Sequence, residues 1–163
     1  MVGRSGRLPP PRLGPTYAQV MITIKRSVTV DKPTALVFDY LADFSNAVEW
    51  DSGTTSCTRT SGDGGVGSTY ANISKFAGRK TDLTYVVEVL EPSHRLVLRG
   101  ENDTVIARDT MVITSSSGAT QVDYTAEFEF SGVVKLLQPL LKLPLEKLGN
   151  DSERSLRESL SRL

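Results

Sequence analysis

Cysteine and histidine are almost missing from this chain of 163 residues, which holds one of each. A lone thiol closes no internal disulfide, and one thiol with one imidazole leaves no ligand set at the spacing of a metal site. The same scarcity removes the usual nucleophilic arrangements, because no second imidazole stands ready to activate a Ser or Cys. No apolar run reaches the length of a signal peptide or a bilayer span, so stable membrane insertion is not expected. Charge of either sign is not in excess, with nineteen basic and nineteen acidic residues. A balanced chain lacks the cation surplus that neutralises a phosphate backbone, so no nucleic-acid partner is expected. No cofactor motif stands out either. Cys57 falls in a predicted strand and reads as a small buried hydrophobe, which suits a reducing, cytoplasmic setting.

What is present begins with a glycine loop. Residues 61–70 read SGDGGVGSTY. A phosphate cradle would need a Lys after the last glycine and a helix behind it. Gly67 is followed instead by Ser68 and Thr69, and both flanks alternate as strands do, so the loop reads as a hairpin turn that uses glycine for positive φ.

The chain divides at Met21. Residues 1–20 carry Pro9, Pro10, Pro11 and Pro15 with three arginines and no acid. They read as a disordered N-terminal extension, and Met21 is a possible true start. The remainder, 39% apolar over the whole chain, suffices for one domain that buries roughly two thirds of its unfolded surface.

From Ile22 the period is two. Ile22, Ile24, Val28 and Val30 share one face, interrupted by Arg26. Asp31 and Pro33 read as a capped helix start, followed by Leu36, Val37, Phe38, Tyr40 and Leu41 at helical spacing. A second short helix fits Phe44 to Trp50. Six strands follow, near 54–61, 67–75, 79–91, 95–102, 104–115 and 119–131, each bounded by turn residues. In the last, Val122, Tyr124, Ala126, Phe128 and Phe130 form the apolar face. If the loop at 116–119 closes a hairpin, Ile113 opposes Val122, Met111 opposes Tyr124 and Asp109 opposes Ala126, which turns Asp109 inward. The preceding hairpin puts Leu83, Tyr85, Val87, Val89, Leu96 and Leu98 on the same side. Leu137, Leu140, Leu141, Pro144, Leu145, Leu148, Ser155 and Leu156 form one stripe of a C-terminal helix that covers this face, bent or split by Pro139, Pro144 and Gly149. A helix lying on a membrane surface is the competing reading of that stripe.

The order strand, two short helices, six antiparallel strands and a long helix resembles the START-like helix-grip (SRPBCC) superfamily, and within it the polyketide cyclase/dehydrase-like branch. The residues that carry the likeness are Val28 to Pro33 with Val37 to Phe44, Trp50, Gly67 to Tyr70, Phe76 to Arg79, Glu91-Pro92 and Arg108-Asp109-Thr110. The glycine loop is also similar to that of plant pathogenesis-related members. The resemblance implies an α+β fold, a curved seven-stranded antiparallel sheet around the C-terminal helix, over residues 21–163. It also implies hydrophobic-ligand carriage, cyclase or dehydratase activity, or an interaction role like that of ribosome-associated toxin members, since one scaffold hosts all three.

The sequence therefore directs attention to a cavity between sheet and helix that binds a hydrophobic or aromatic small molecule, lipid or polyketide-like. Trp50, Tyr70, Tyr85, Val87, Asp109, Met111, Tyr124, Phe128, Phe130, Leu137, Leu141 and Leu145 are the expected lining. Solid packing of the same side chains is the alternative. Asp109 is the best acid/base candidate, because a carboxyl in an apolar cavity is held toward its neutral form. It could instead pair with Arg26, Arg99 or Arg108. His94 belongs to a strand turn, where an exposed polar residue is the ordinary expectation.

Overall fold

The computed structural model describes residues 21–163; the N-terminal extension lies outside the described residues. Seven strands form one antiparallel sheet: β1 (Met21–Val30), β2 (Thr54–Ser61), β3 (Thr69–Phe76), β4 (Arg79–Glu91), β5 (Arg95–Glu101), β6 (Val105–Ser116) and β7 (Ala119–Phe130). Their spatial order is β1-β7-β6-β5-β4-β3-β2. After β1 come α1 (Thr34–Ala42), a 3₁₀ turn (Phe44–Asn46) and α2 (Ala47–Trp50). After β7 a 3₁₀ segment (Gly132–Leu137) leads into α3 (Gln138–Ser161), which lies across the concave face.

Turn chemistry sets the hairpins. Gly62, Gly64 and Gly67 all take positive φ between β2 and β3. The Ser68 hydroxyl, buried, accepts from the Gly64 N–H at 2.9 Å, and Asp63 accepts from Gly65 at 2.9 Å. Gly64, Gly65 and Ser68 find acceptors within the loop, Gly67 donates to the Val87 carbonyl of β4, and the loop leads into a strand, as a turn does. Ser117 and Gly118, at φ 50° and 87°, close β6 onto β7 as a two-residue turn whose twist matches the strands. That turn fixes the register: Ile113 faces Val122, Met111 faces Tyr124 and Asp109 faces Ala126.

Directly opposed residues share a face, so the inward rows can be followed from strand to strand. One row runs Tyr85, Gly100, Ala107, Phe128, Ile22; the next runs Val87, Leu98, Asp109, Ala126, Ile24. A third runs Leu90, Leu96, Met111, Tyr124, Arg26. Val89, expected inward, is not in it. The ladder slips between Val87 and Val89, where β4 carries one extra residue, and Val89 pairs with Val97 on the opposite face while Leu90 takes the inward place.

Asp31 does not cap α1. The N-cap position is Pro33, in extended backbone with no side-chain cap. The helix start is tied instead to β7 through Thr120, whose hydroxyl donates to the Lys32 carbonyl at 2.6 Å and lies 3.1 Å from that of Thr34. Nor is α3 split. Pro139 sits in the first turn, where no amide donor is needed, and Pro144 is accommodated within one continuous helix of 24 residues. The bond Pro144 cannot make is the one to Leu140, whose side chain is exposed.

Candidate functional site

The two ends of the concave face are filled differently. Toward one end, the large side chains Leu96, Leu98, Met111, Ile113 and Val122 meet Val37 and Leu41 of α1 and Leu156 and Leu160 of α3 in a continuous core. Toward the other, the inward positions at the middle of the sheet are Gly100, Ala107 and Ala126, which fill little space. A Cβ on Gly100 would lie 2.5 Å from the Tyr85 ring, so the absent side chain is what lets that ring lean across β5. Small residues under a helix leave a void, and a cavity of about 390 Å³ opens between this part of the sheet and the first half of α3. Its size is that of small-molecule sites.

The cavity is apolar along most of its wall. Phe128 and Phe130 stack with centroids 6.4 Å apart on β7, and Leu137, Leu141, Leu145 and Leu148 supply the helical wall. Trp50, Tyr85, Asp109 and Tyr124 complete the expected residues found there. Tyr70, Val87 and Met111, expected beside them, do not line it. They are fully buried in the packed end, where Phe44 stands edge-on to Tyr70 with ring centroids 5.6 Å apart. The solid-packing alternative thus describes one end of the face and not the other.

Polar groups gather at the inner end. The Tyr124 hydroxyl donates to Asp109 Oδ1 at 2.6 Å. Asp109 is only 5% exposed, with Leu98 and Ala126 as its cross-strand neighbours. Burial pushes its carboxyl up to about 6; the bond from Tyr124 offsets part of that rise, and the Asp51 charge adds to it. Burial, with the Asp109 charge behind it, drives the Tyr85 and Tyr124 phenols well above their ordinary value. Both phenols therefore stay protonated and serve as donors. None of the expected arginine pairings reaches Asp109. Arg26 binds Glu146 at 2.8 Å and Asn150 at 2.7 Å on α3. Arg99 pairs with Glu101, and Arg108 with Glu88.

Asp51, which reads in the sequence only as a helix-terminal carboxylate beside Trp50, lies at the cavity wall. It accepts from the Gly53 N–H at 3.1 Å, the Thr54 hydroxyl at 2.6 Å and the Ser152 hydroxyl at 3.0 Å, and so ties the end of α2 to α3 at the cavity wall. The Trp50 indole N–H beside it has no hydrogen-bond partner among the described residues. Lys75, Ala77 and Arg79 border the cavity from the exposed β3–β4 turn and mark its mouth.

Two singled-out residues lie elsewhere. His94 is 67% exposed in the β4–β5 turn, 3.8 Å from Glu91. Cys57 is buried, and burial raises its thiol to about 11, so it is an inert hydrophobe rather than a nucleophile. Among the described residues no three metal-ligating side chains converge, and no helix is long and apolar enough to cross a membrane.

A curved antiparallel sheet gripping a long helix over a largely apolar cavity defines a START-like helix-grip protein. The chain belongs to the family described as polyketide cyclase / dehydrase and lipid transport, which matches over residues 21–163. Among solved structures, it is similar to the Zhui aromatase/cyclase from Streptomyces sp. R1128, with TM-score 0.75 and 16% identity over 88% of this chain and 95% of that one. It is also similar to a START superfamily protein from Mycobacterium smegmatis, with TM-score 0.66 and 12% identity over 86% and 95%. At these identities the likeness is one of fold. No curated protein matches the sequence.

Proposed function

We propose that the chain binds a hydrophobic or aromatic small molecule, lipid or polyketide-like, between the sheet and α3, and that residues 1–20 stand outside this binding unit. The observation that carries the reading is the apolar cavity with one buried carboxyl, Asp109, held by Tyr124 at its inner end. Phe128, Phe130 and the helix leucines take the apolar body, and the Asp109–Tyr124 pair with Tyr85 orients a hydroxyl or carbonyl. The free thiol of Cys57 fits a cytoplasmic setting. Titration with the fluorescent probe anilinonaphthalene sulfonate tests it. Phe128→Ala should weaken probe binding by roughly tenfold, a loss on the scale of one good aromatic contact. Unchanged binding in both Phe128→Ala and Phe130→Ala would overturn the cavity as the site.

A second reading is favoured by one specific observation. A carboxyl raised to about 6 and hydrogen-bonded to a phenol can exchange a proton near neutral pH, which is what a cyclase or dehydratase asks of its acid or base. Structural neighbours bearing the name aromatase/cyclase lend the fold, not the activity. Asp109→Asn separates the two readings. A carrier keeps its ligand within a few-fold, whereas an enzyme binds but loses turnover.

A further inference from the structure

The segment that roofs the cavity mouth is only half used by it. Leu141 and Leu145 turn inward and Leu137 touches the cavity while staying 51% exposed, but Val133, Leu136, Leu140 and Leu143 are 77%, 80%, 72% and 80% exposed and line none of it. Soluble surfaces rarely gather so many large aliphatic side chains in eleven consecutive positions without a partner. Within the segment the charges are of one sign. Residues 131–145 contain Lys135 and Lys142 and no acid, and the end of the β3–β4 hairpin carries Lys75, Arg79 and Lys80, of which Lys75 and Arg79 border the cavity. None of these five cations takes part in an ion pair among the described residues. Glu146, the first acid after the segment, is held by Arg26.

We propose that this apron is a peripheral docking surface for an anionic lipid bilayer, with the exposed leucines entering the interface and the lysines and arginine meeting lipid phosphates. Charge complementarity selects this occupant. A two-fold dimer through the same face would bring two like-charged patches together, since such an interface pairs each patch with itself. A bilayer offers apolar depth for the aliphatic side chains and negative charge at the level of the cations. Contact of this kind is shallow and reversible. It would hold the mouth against the bilayer, whichever ligand the cavity takes.

Sedimentation of the full chain with vesicles tests the surface. Binding to phosphatidylcholine vesicles containing about a third phosphatidylglycerol should exceed binding to pure phosphatidylcholine by roughly tenfold or more, and should fall as salt is raised. Leu136→Glu with Leu140→Glu should bring binding down to the level of neutral vesicles, and Lys135→Glu with Lys142→Glu should do the same. All four side chains are exposed, so an unchanged melting temperature should accompany the loss. Equal partitioning onto both vesicle types would overturn the proposal, as would binding that survives both double variants. Two other results would also overturn it: a wild-type dimer that the leucine variants convert to monomer, assigning the apron to self-association, or loss of vesicle binding on deletion of residues 1–20 alone.

Discussion

The packed and hollow ends of the concave face obey the same alternation of strand residues yet differ in what the side chains do. At the packed end the inward positions carry Leu96, Met111 and Ile113, closed from above by Leu156 and Leu160. At the hollow end they carry Gly100, Ala107 and Ala126, and α3 above them presents a stripe from which Leu140 and Leu143 point away. Alternation decides which face a residue occupies. The volume summed across neighbouring strands decides whether that face is core or cavity.

The sharpest way to break this comparison is to remove volume from each end. Leu156→Ala at the packed end should cost about 3 to 4 kcal/mol, a buried leucine's transfer energy plus the cavity left behind, seen as a lower denaturant midpoint at constant slope. A loss below about 1 kcal/mol would show that this end is also loosely filled.

Next in size is the pH response of Asp109. Its folded value near 6 lies above the ordinary carboxyl value of 3.8. The folded state therefore holds this proton more tightly, and the associated stability is fully present below about pH 4 and lost as pH rises through about 6. The swing is on the order of 2 to 3 kcal/mol. Asp109→Asn should flatten that part of the stability profile and leave the variant more stable than the parent at about pH 7 to 8, as denaturant midpoints across the range would record. A parallel profile would mean that Asp109 is solvated.

Phe128→Ala should cost only about 1 to 2 kcal/mol, well below the value for a fully packed ring, because one side of the ring already faces a void. A cost matching Leu156→Ala would erase the distinction between the ends. The smallest effect belongs to Asp31→Ala, which should stay within about 0.5 kcal/mol by thermal melting, since Asp31 caps nothing.

Much of this architecture could be read in the chain because particular segments speak plainly. From Val122 to Phe130 every second residue is apolar, and a two-residue turn leaves one register, so the inward place of Asp109 follows directly. Segment Val86-Val87-Glu88-Val89-Leu90 is ambiguous, with apolar residues of both parities around Glu88, and nothing local announces the bulge. The stretch from Leu136 to Leu148 has leucines on all sides of the helix, so periodicity alone could not tell Leu141, which faces the cavity, from Leu140, which does not. Asp51 was out of reach for another reason. Its role depends on Ser152, a hundred residues away, and no spacing rule links them.

The smallness of three inward residues also bears on how such a protein can diversify. Ala107 and Ala126 sit on interior strands of the sheet, so a larger aliphatic side chain at either would subtract from the ligand's room while leaving strand pairing untouched. Gly100 is the exception, because any side chain there displaces Tyr85 and with it the polar end of the cavity. The fold thus separates two inheritable settings: capacity adjusted in methyl-sized steps at the alanines, and chemistry guarded at the glycine.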